Sequence, residues 1–226
     1  MEPNLLDEMA PEDGRRTSLL EELRMKIVSG QIGPGELLTV PRLAKTWGVS
    51  TTPVREILLE LAGAGLLDAK RNRGFQVRRP TVVDLRELFV LRAQLEGFAL
   101  SCIADITPEQ CATLRTQAAA IEQAVARNDT LKYLETDRVY HASLVGLAHN
   151  ARLLTMIMNL RDNMRLYGIE SEMGLQRQQI SVPEHFELVN LLETGRTDDA
   201  IALMRSHILD WEPVFAGAIE LLPGVG

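Results

Sequence analysis

Residues 41–67 read PRLAKTWGVSTTPVREILLELAGAGLL, and this stretch decides the fold. A short helix is predicted over residues 40–47. Gly48-Val49 follows it, a pair suited to a tight turn because glycine accepts a left-handed backbone. Ser50 then stands where a helix N-cap belongs. Beyond it Val54, Ile57, Leu58 and Leu61 recur at i, i+3, i+4 and i+7, the period of a helix with one buried face. Gly63 and Gly65 end that helix. A short helix, a tight turn and a second helix make a helix-turn-helix, in which the start of the second helix meets base edges of DNA. Ala44 and Val49 are small and apolar where the two helices must approach.

The reading extends in both directions. Upstream, Leu19, Leu20, Leu23 and Ile27 form a helical stripe that ends near Gly30, and Gly33-Pro34-Gly35 makes a turn. Downstream, Leu66–Lys70 and Gly74–Arg79 predict two short strands around the polar tip Arg71-Asn72-Arg73, which makes a wing. Pro80 marks a boundary. From Val83 onward the pattern is helical, with segments predicted at 83–104, 108–127, 130–147, 151–172, 182–194 and 198–221. Thr107-Pro108, Asn128-Asp129, Asn150, Gly174, Pro183 and Gly195 separate them. The expected architecture is mainly α: a winged helix-turn-helix over residues 15–79, then an all-α antiparallel helical bundle over residues 80–226. Residues 1–14, acidic and holding two prolines, are expected to be a disordered tail.

Charge follows the same division. The 226 residues carry a net charge of −7, which is unpromising for a nucleic-acid binder until it is resolved along the chain. Residues 15–79 hold twelve bases and six acids, whereas residues 80–226 hold twelve bases and twenty acids. A basic block joined to an acidic one suits a DNA-binding module attached to a partner that does not touch DNA. Aromatic residues make up 4% of the chain, so the cores must be built from Leu, Ile, Val, Met and Ala, which favours helical packing. No apolar run reaches the roughly 18 residues of a membrane span. The opening MEPNLLDEMAPEDGRR lacks a basic start and apolar core, so no secretory signal is expected. Cys102 and Cys111 form neither a metal-type pair nor a disulfide framework, and a cytoplasmic location follows.

The candidate DNA-reading residues are Arg42, Thr51, Thr52 and Arg55 on the helix-turn-helix, with Arg71, Arg73 and Gly74 at the wing. Arg55 can reach a guanine edge or a phosphate, and the threonine hydroxyls can meet either. An Arg-rich wing tip can enter a narrow minor groove.

Four polar residues fall on stripes of the second domain that should be buried. Asp137 and His141 lie four apart on one helix face. His185 shares a stripe with Leu188, Val189 and Leu192, and His207 with Leu203, Met204 and Trp211. Carboxylates and imidazoles in a core are normally paired or metal-bound, because an isolated buried charge costs several kcal/mol. One reading is an Asp/His₃ site for one divalent cation per chain; nitrogen and oxygen donors suit Zn²⁺, Ni²⁺, Mn²⁺ or Fe²⁺ alike. The other is that the histidines are core residues satisfied by neighbours, which would leave a purely architectural DNA-binding protein. A metal-dependent hydrolase using the same four residues is the alternative function. It has no obvious further carboxylate to act as base, and it leaves the winged helix unexplained. His149, beside Asn150 at a helix end, is read as structural.

The segments IVSGQIGPGELL (27–38) and RLAKTWGVSTTPVREILLELAGAGLLDAKRNRGFQV (42–77) resemble the winged helix of GntR-type transcriptional regulators across about 50 residues. In that family the residue after GVS is commonly an arginine that contacts DNA; here it is Thr51. Arg55 matches the family's second recognition-helix arginine. The segments DRVYHASLVGLAHNARLL (137–154) and PEHFELVNLLETGRTDDAIALMRSHI (183–208) resemble the FCD domain of the FadR subfamily. Six helices look most like its VanR branch. The resemblance implies a homodimeric regulator, a repressor or an activator, that reads an inverted-repeat operator. It further implies that Asp137, His141, His185 and His207 hold a metal with positions open to a small carboxylate effector. LRAQLE (91–96) matches the family's R-x-x-L-E start. Arg92 is therefore a candidate clamp for that carboxylate, since guanidinium binds carboxylate bidentately. Arg161 and Arg165 are further candidates; helical spacing does not decide whether they face the pocket or solvent.

Overall fold

The computed structural model describes residues 11–164 and 166–222. The chain divides into two compact units, with the boundary between Pro80 and Thr81.

The first unit runs α1 (Pro11–Val28), β1 (Leu37–Leu38), α2 (Val40–Trp47), α3 (Thr51–Gly63), β2 (Leu67–Lys70) and β3 (Gly74–Val77). α1 begins at Pro11, so residues 11–14 of the expected tail are helical: a proline suits a first helical position because its missing N–H has no intrahelical partner there anyway. Residues 1–10 lie outside the described residues. Leu20, Leu23 and Ile27 of α1 are buried, together with Ala44 of α2 and Val54, Ile57, Leu58 and Leu61 of α3. Gly48 ends α2 in the left-handed conformation, at φ 62° and ψ 43°, and its N–H bonds the carbonyl of Ala44. That sharp reversal aims α3. Ser50 holds the extended N-cap backbone of α3, but its side chain makes no capping hydrogen bond.

The wing is an antiparallel sheet in the order β1-β3-β2, with Leu67 opposite Val77, Lys70 opposite Gly74 and Leu37 opposite Gln76. β1 was not expected. A strand of two residues has no alternation to read, and pairing with β3 is what creates it. Gly74 carries φ 124°, and a side chain there would collide with the Leu38 carbonyl, so this corner of the wing requires glycine.

The second unit holds seven helices among the described residues: α4 (Val82–Ser101), α5 (Pro108–Ala126), α6 (Thr130–Gly146), α7 (Ala151–Asp162), α8 (Glu172–Glu193), α9 (Thr197–Leu209) and α10 (Glu212–Glu220). Thr81 with Asp84 and Thr107 with Gln110 form capping boxes, while Asp129, Asn150 and Ser171 cap α6, α7 and α8 through their side chains. α4 packs on α9, and α5 on both α6 and α8.

Seven helices replace the expected six, and the assignment to the VanR branch, which rested on six, loses its ground. Two local departures are involved, and the second of them adds the helix. The break expected at Gly174 falls earlier, between the end of α7 at Asp162 and the start of α8 at Glu172, where Gly168 takes φ 85°. Gly174 instead sits in the first turn of α8, where a side chain would strike the carbonyls of Gly168 and Ile169. The predicted segment 198–221 parts at Asp210-Trp211, because Pro213 suits the start of a new helix. Pro183 does not end a helix either. It is exposed inside α8, whose opposite face buries Ser181, His185, Leu188 and Val189.

Candidate metal centre

α6, α8 and α9 bring Asp137, His141, His185 and His207 together, with one donor atom from each lying within 4.8 Å of every other. The three imidazoles are buried, and their ring centroids stand 4.8 to 5.5 Å apart. Asp137 faces two of them: its Oδ1 lies 3.2 Å from His185 Nε2 and 3.6 Å from His141 Nε2. His149 stands apart from this group, exposed and at φ 50°.

The Nδ1 atoms are all engaged from outside the cluster. His185 Nδ1 donates to the Ser181 carbonyl at 2.7 Å, His141 Nδ1 to Glu96 Oε2 at 3.1 Å, and His207 Nδ1 to Glu184 Oε2 at 2.6 Å. A carbonyl only accepts, so His185 carries its proton on Nδ1. When neutral, that ring turns an Nε2 lone pair toward the Asp137 carboxylate, an arrangement that repels unless a proton or a cation lies between. His141 Nε2 is buried with no hydrogen-bond partner among the described residues. The donor set and this orphaned atom fit a divalent cation bound through three Nε2 atoms and Asp137.

Three arginines surround the cluster, Arg92 and Arg177 buried and Arg161 partly so. Arg161 Nη2 pairs with Asp137 Oδ2 at 2.5 Å, and its Nη1 reaches both oxygens of Glu96 at 3.2 and 3.1 Å. Of the two arginines left open by helical spacing, Arg161 thus faces the cluster, and Arg165 lies outside the described residues. Arg92 Nε pairs with Glu96 Oε1 at 3.0 Å, and its Nη1 meets the Met164 sulfur at 3.1 Å. Arg177 grips Glu184.

Charge in this setting follows burial and partners. Burial opposes ionisation of Glu96, but Arg161 and Arg92 outweigh it and hold its carboxyl well below the usual range. Asp137 is likewise held low against burial, by His141 and Arg161. Burial, with Arg161 nearby, pushes His141 down to about 3. Burial also pushes His207 down to about 4, against the pull of Glu184. Both rings are therefore neutral at pH 7 and able to donate a lone pair. Burial lowers Arg92 to about 10, still charged at neutral pH.

In the first unit Thr51, Thr52 and Arg55 are exposed on the opening turns of α3, and Arg42 is exposed on α2. Arg71 and Arg73 are exposed at the tip between β2 and β3, beside half-buried Gly74.

The gntR family of bacterial regulatory proteins matches residues 16–77, and the FCD domain matches residues 87–210. The chain is a GntR-family regulator with an FCD domain. The regulator is 29% identical over 190 residues to the uncharacterized HTH-type transcriptional regulator YdhC of Bacillus subtilis, covering 83% of each chain. It is 28% identical over 211 residues to the probable D-xylose utilization operon transcriptional repressor of Paenarthrobacter nicotinovorans, covering 89% of this chain and 90% of that one. Among solved structures its fold is similar to that of E. coli McbR/YncC, with a TM-score of 0.76 at 21% identity, covering 87% and 94% of the two chains. These relatives are regulators and not enzymes, and the hydrolase alternative falls. Among the described residues of the regulator, no helix is long and apolar enough to cross a membrane.

The lowered histidines give the metal-free regulator a signed pH dependence. A histidine whose folded pKa lies below its unfolded value of about 6.5 binds more protons when unfolded, so stability rises with pH between the two values. For His141 and His207 the contribution is complete above about 6.5 and is lost as pH falls toward 3 to 4. Glu96 and Asp137, also lowered, act in the same direction at still lower pH. Melting temperature of the chelator-treated protein is expected to be level near pH 7 and to drop steadily from pH 6.5 to 4. A melting temperature that stayed level through that window would contradict burial of two neutral rings.

Proposed function

We propose that this regulator binds an inverted-repeat operator as a homodimer, and that a small carboxylate metabolite, held at an Asp/His₃ metal site in the FCD domain, controls that binding. The observation that carries the reading is the convergence of Asp137, His141, His185 and His207 with every imidazole Nδ1 tied outward. A divalent cation there (Zn, Ni, Mn and Fe all suit the donors) would supply a Lewis-acidic centre for carboxylate oxygens. Arg161 touches Asp137 and so stands next to any ligand of the cluster; it is the first choice for neutralising a bound carboxylate. Arg92 stands behind it, engaged with Glu96 and Met164, and Arg165 completes the proposed effector set. Effector binding shifts the population between operator-competent and operator-incompetent dimers by its differential affinity for the two. The name of the Paenarthrobacter relative favours repression as the sign.

On the DNA side the readers are Arg42, Thr51, Thr52 and Arg55, with Arg71, Arg73 and Gly74 from the wing. A two-fold dimer suits an inverted repeat, since one winged helix covers too few bases for useful selectivity. Arg55→Ala is expected to weaken operator binding by about 1–3 kcal/mol and to relax one base position. Arg73→Ala is expected to weaken binding evenly across sequences and to lower its salt dependence. Titrating labelled operator with each variant, at two salt concentrations and with a panel of small carboxylates, tests both halves. Equal operator affinity for wild type and Arg55→Ala would remove the docking arrangement. Indifference of the metal-loaded protein to every carboxylate would remove the effector class.

A further inference from the structure

The metal reading leaves a half-buried carboxylate beside the cluster without a role. Glu184 precedes His185 on α8, but its side chain turns toward α9. There Oε2 accepts the Nδ1 proton of His207 at 2.6 Å. The same carboxylate is gripped by Arg177, one α-helical heptad earlier, through Nη1–Oε1 at 3.1 Å and Nη2–Oε2 at 2.7 Å. Arg177 Nη2 also donates to the His207 backbone carbonyl at 2.9 Å, so one guanidinium holds both the carboxylate and the backbone of the residue that it orients. The guanidinium itself is fixed, with its carbon 5.6 Å from the centroid of the Trp211 ring. The Arg177 side chain is 6% exposed and that of Glu184 17%.

We propose that Glu184, clamped by Arg177, is the positioning residue for His207: it holds the Nδ1 proton and so leaves Nε2 as the nitrogen offered to Asp137, His141 and His185. The physical need is specific. A neutral imidazole carries one proton, and only its Nδ1–H form presents an Nε2 lone pair. His207 comes from α9, whereas Asp137 and His141 share α6 and His185 sits on α8, so its ring must be set across an interhelical gap. His185 obtains its orientation from its own helix, through the Ser181 carbonyl. Among the described residues His207 Nδ1 meets no such backbone acceptor, and it is held instead by a side chain of the neighbouring helix. Arg177 in turn neutralises Glu184, which allows an ionised acceptor to persist in a largely buried place.

This inference rests on the metal reading, and its test separates the two. Full-length protein, stripped with chelator, is titrated with Co²⁺. The visible absorption band reports ligand arrangement, and competition with a chelator gives the dissociation constant. Glu184→Ala is expected to bind cobalt 10–100-fold more weakly with an altered band, as removal of an orienting partner does at such sites. Glu184→Gln, whose amide oxygen can still accept from Nδ1, is expected to recover the band and most of the affinity. Wild-type protein that binds no cobalt overturns the metal reading and this proposal with it. Cobalt binding that Glu184→Ala retains unchanged, in affinity and band, overturns the positioning role and leaves the site standing, as does a Glu184→Gln no better than the alanine variant. Should Glu184→Ala fail to fold, ring-nitrogen NMR of the metal-free wild type decides the point. His207 is expected in a single Nδ1–H form, and a mixture of tautomers or an Nε2–H ring overturns the proposal.

Discussion

His141→Ala is expected to leave the purified regulator without stoichiometric divalent metal and without response to a carboxylate effector. His141 is fully buried, and its Nε2 has no other hydrogen-bond partner among the described residues. Alanine therefore removes a donor that nothing nearby replaces, and it empties a space beside Glu96 and Asp137 into which neither can move without leaving Arg161. Metal that binds only the folded state stabilises it by mass action, by about 2.7 kcal/mol when free metal stands at a hundred times the dissociation constant. Melting temperature of the wild type should consequently fall on adding chelator, whereas that of His141→Ala should start low and stay there. His149→Ala, at an exposed position outside the cluster, should behave as wild type in both metal content and melting. Elemental analysis and thermal melting of the three proteins check this. Full metal occupancy and a normal effector response in His141→Ala would show the histidines to be core residues satisfied by their neighbours.

Glu96→Ala is expected to lower stability by about 3–5 kcal/mol, which is large beside the usual total of 5–15 kcal/mol for a domain. The carboxylate is fully buried and serves Arg92, Arg161 and His141 at once. Without it Arg92 keeps the Met164 sulfur as its polar neighbour, and Arg161 keeps Asp137. Two guanidinium charges are then less than fully compensated in a place water does not reach, and it is this uncompensated charge that destabilises. The exposed pair Arg196–Asp199, by contrast, should be worth about 0–1 kcal/mol, since solvent screens both partners. Urea denaturation of the metal-free protein measures the difference. A loss under about 1 kcal/mol for Glu96→Ala would mean that the arginines find other partners on relaxation.

The winged helix was legible because its signals are local. Gly48, Ser50 and the stripe from Val54 to Leu61 sit within one short stretch, and α2 and α3 follow from them. The order of the bundle was legible too, from the capping residues Thr107, Asp129 and Asn150. What escaped depends on neighbours distant in sequence. β1 exists through β3, and Gly174 reads as a breaker until Gly168 and Ile169 are seen lying against it. Pro213 was a local signal within reach, and it marks the split between α9 and α10. At the site, Asp137 and the three histidines stood out because a polar side chain on an apolar stripe contradicts its surroundings. Glu184 lies off the His185 stripe, and its partner His207 is 23 residues further on, on another helix. Glu96 was visible in LRAQLE, but its bonds to Arg161 and His141 span 65 and 45 residues. The one available clue to Glu184 was its place beside His185 in PEHF, which indicates nothing about the direction of its side chain.

The start of α4 has a consequence for how such a protein is put together. Thr81 receives the Asp84 N–H, and Asp84 receives that of Thr81, so the first turn satisfies its loose donors from residues on its own side of the Pro80 boundary. A helix that begins in this way carries its capping box within its own first residues. A junction placed at Pro80 therefore keeps the start of this helix intact. One sensing bundle can be given a different DNA-reading head, and one head a different sensor, without the new junction having to invent a helix start.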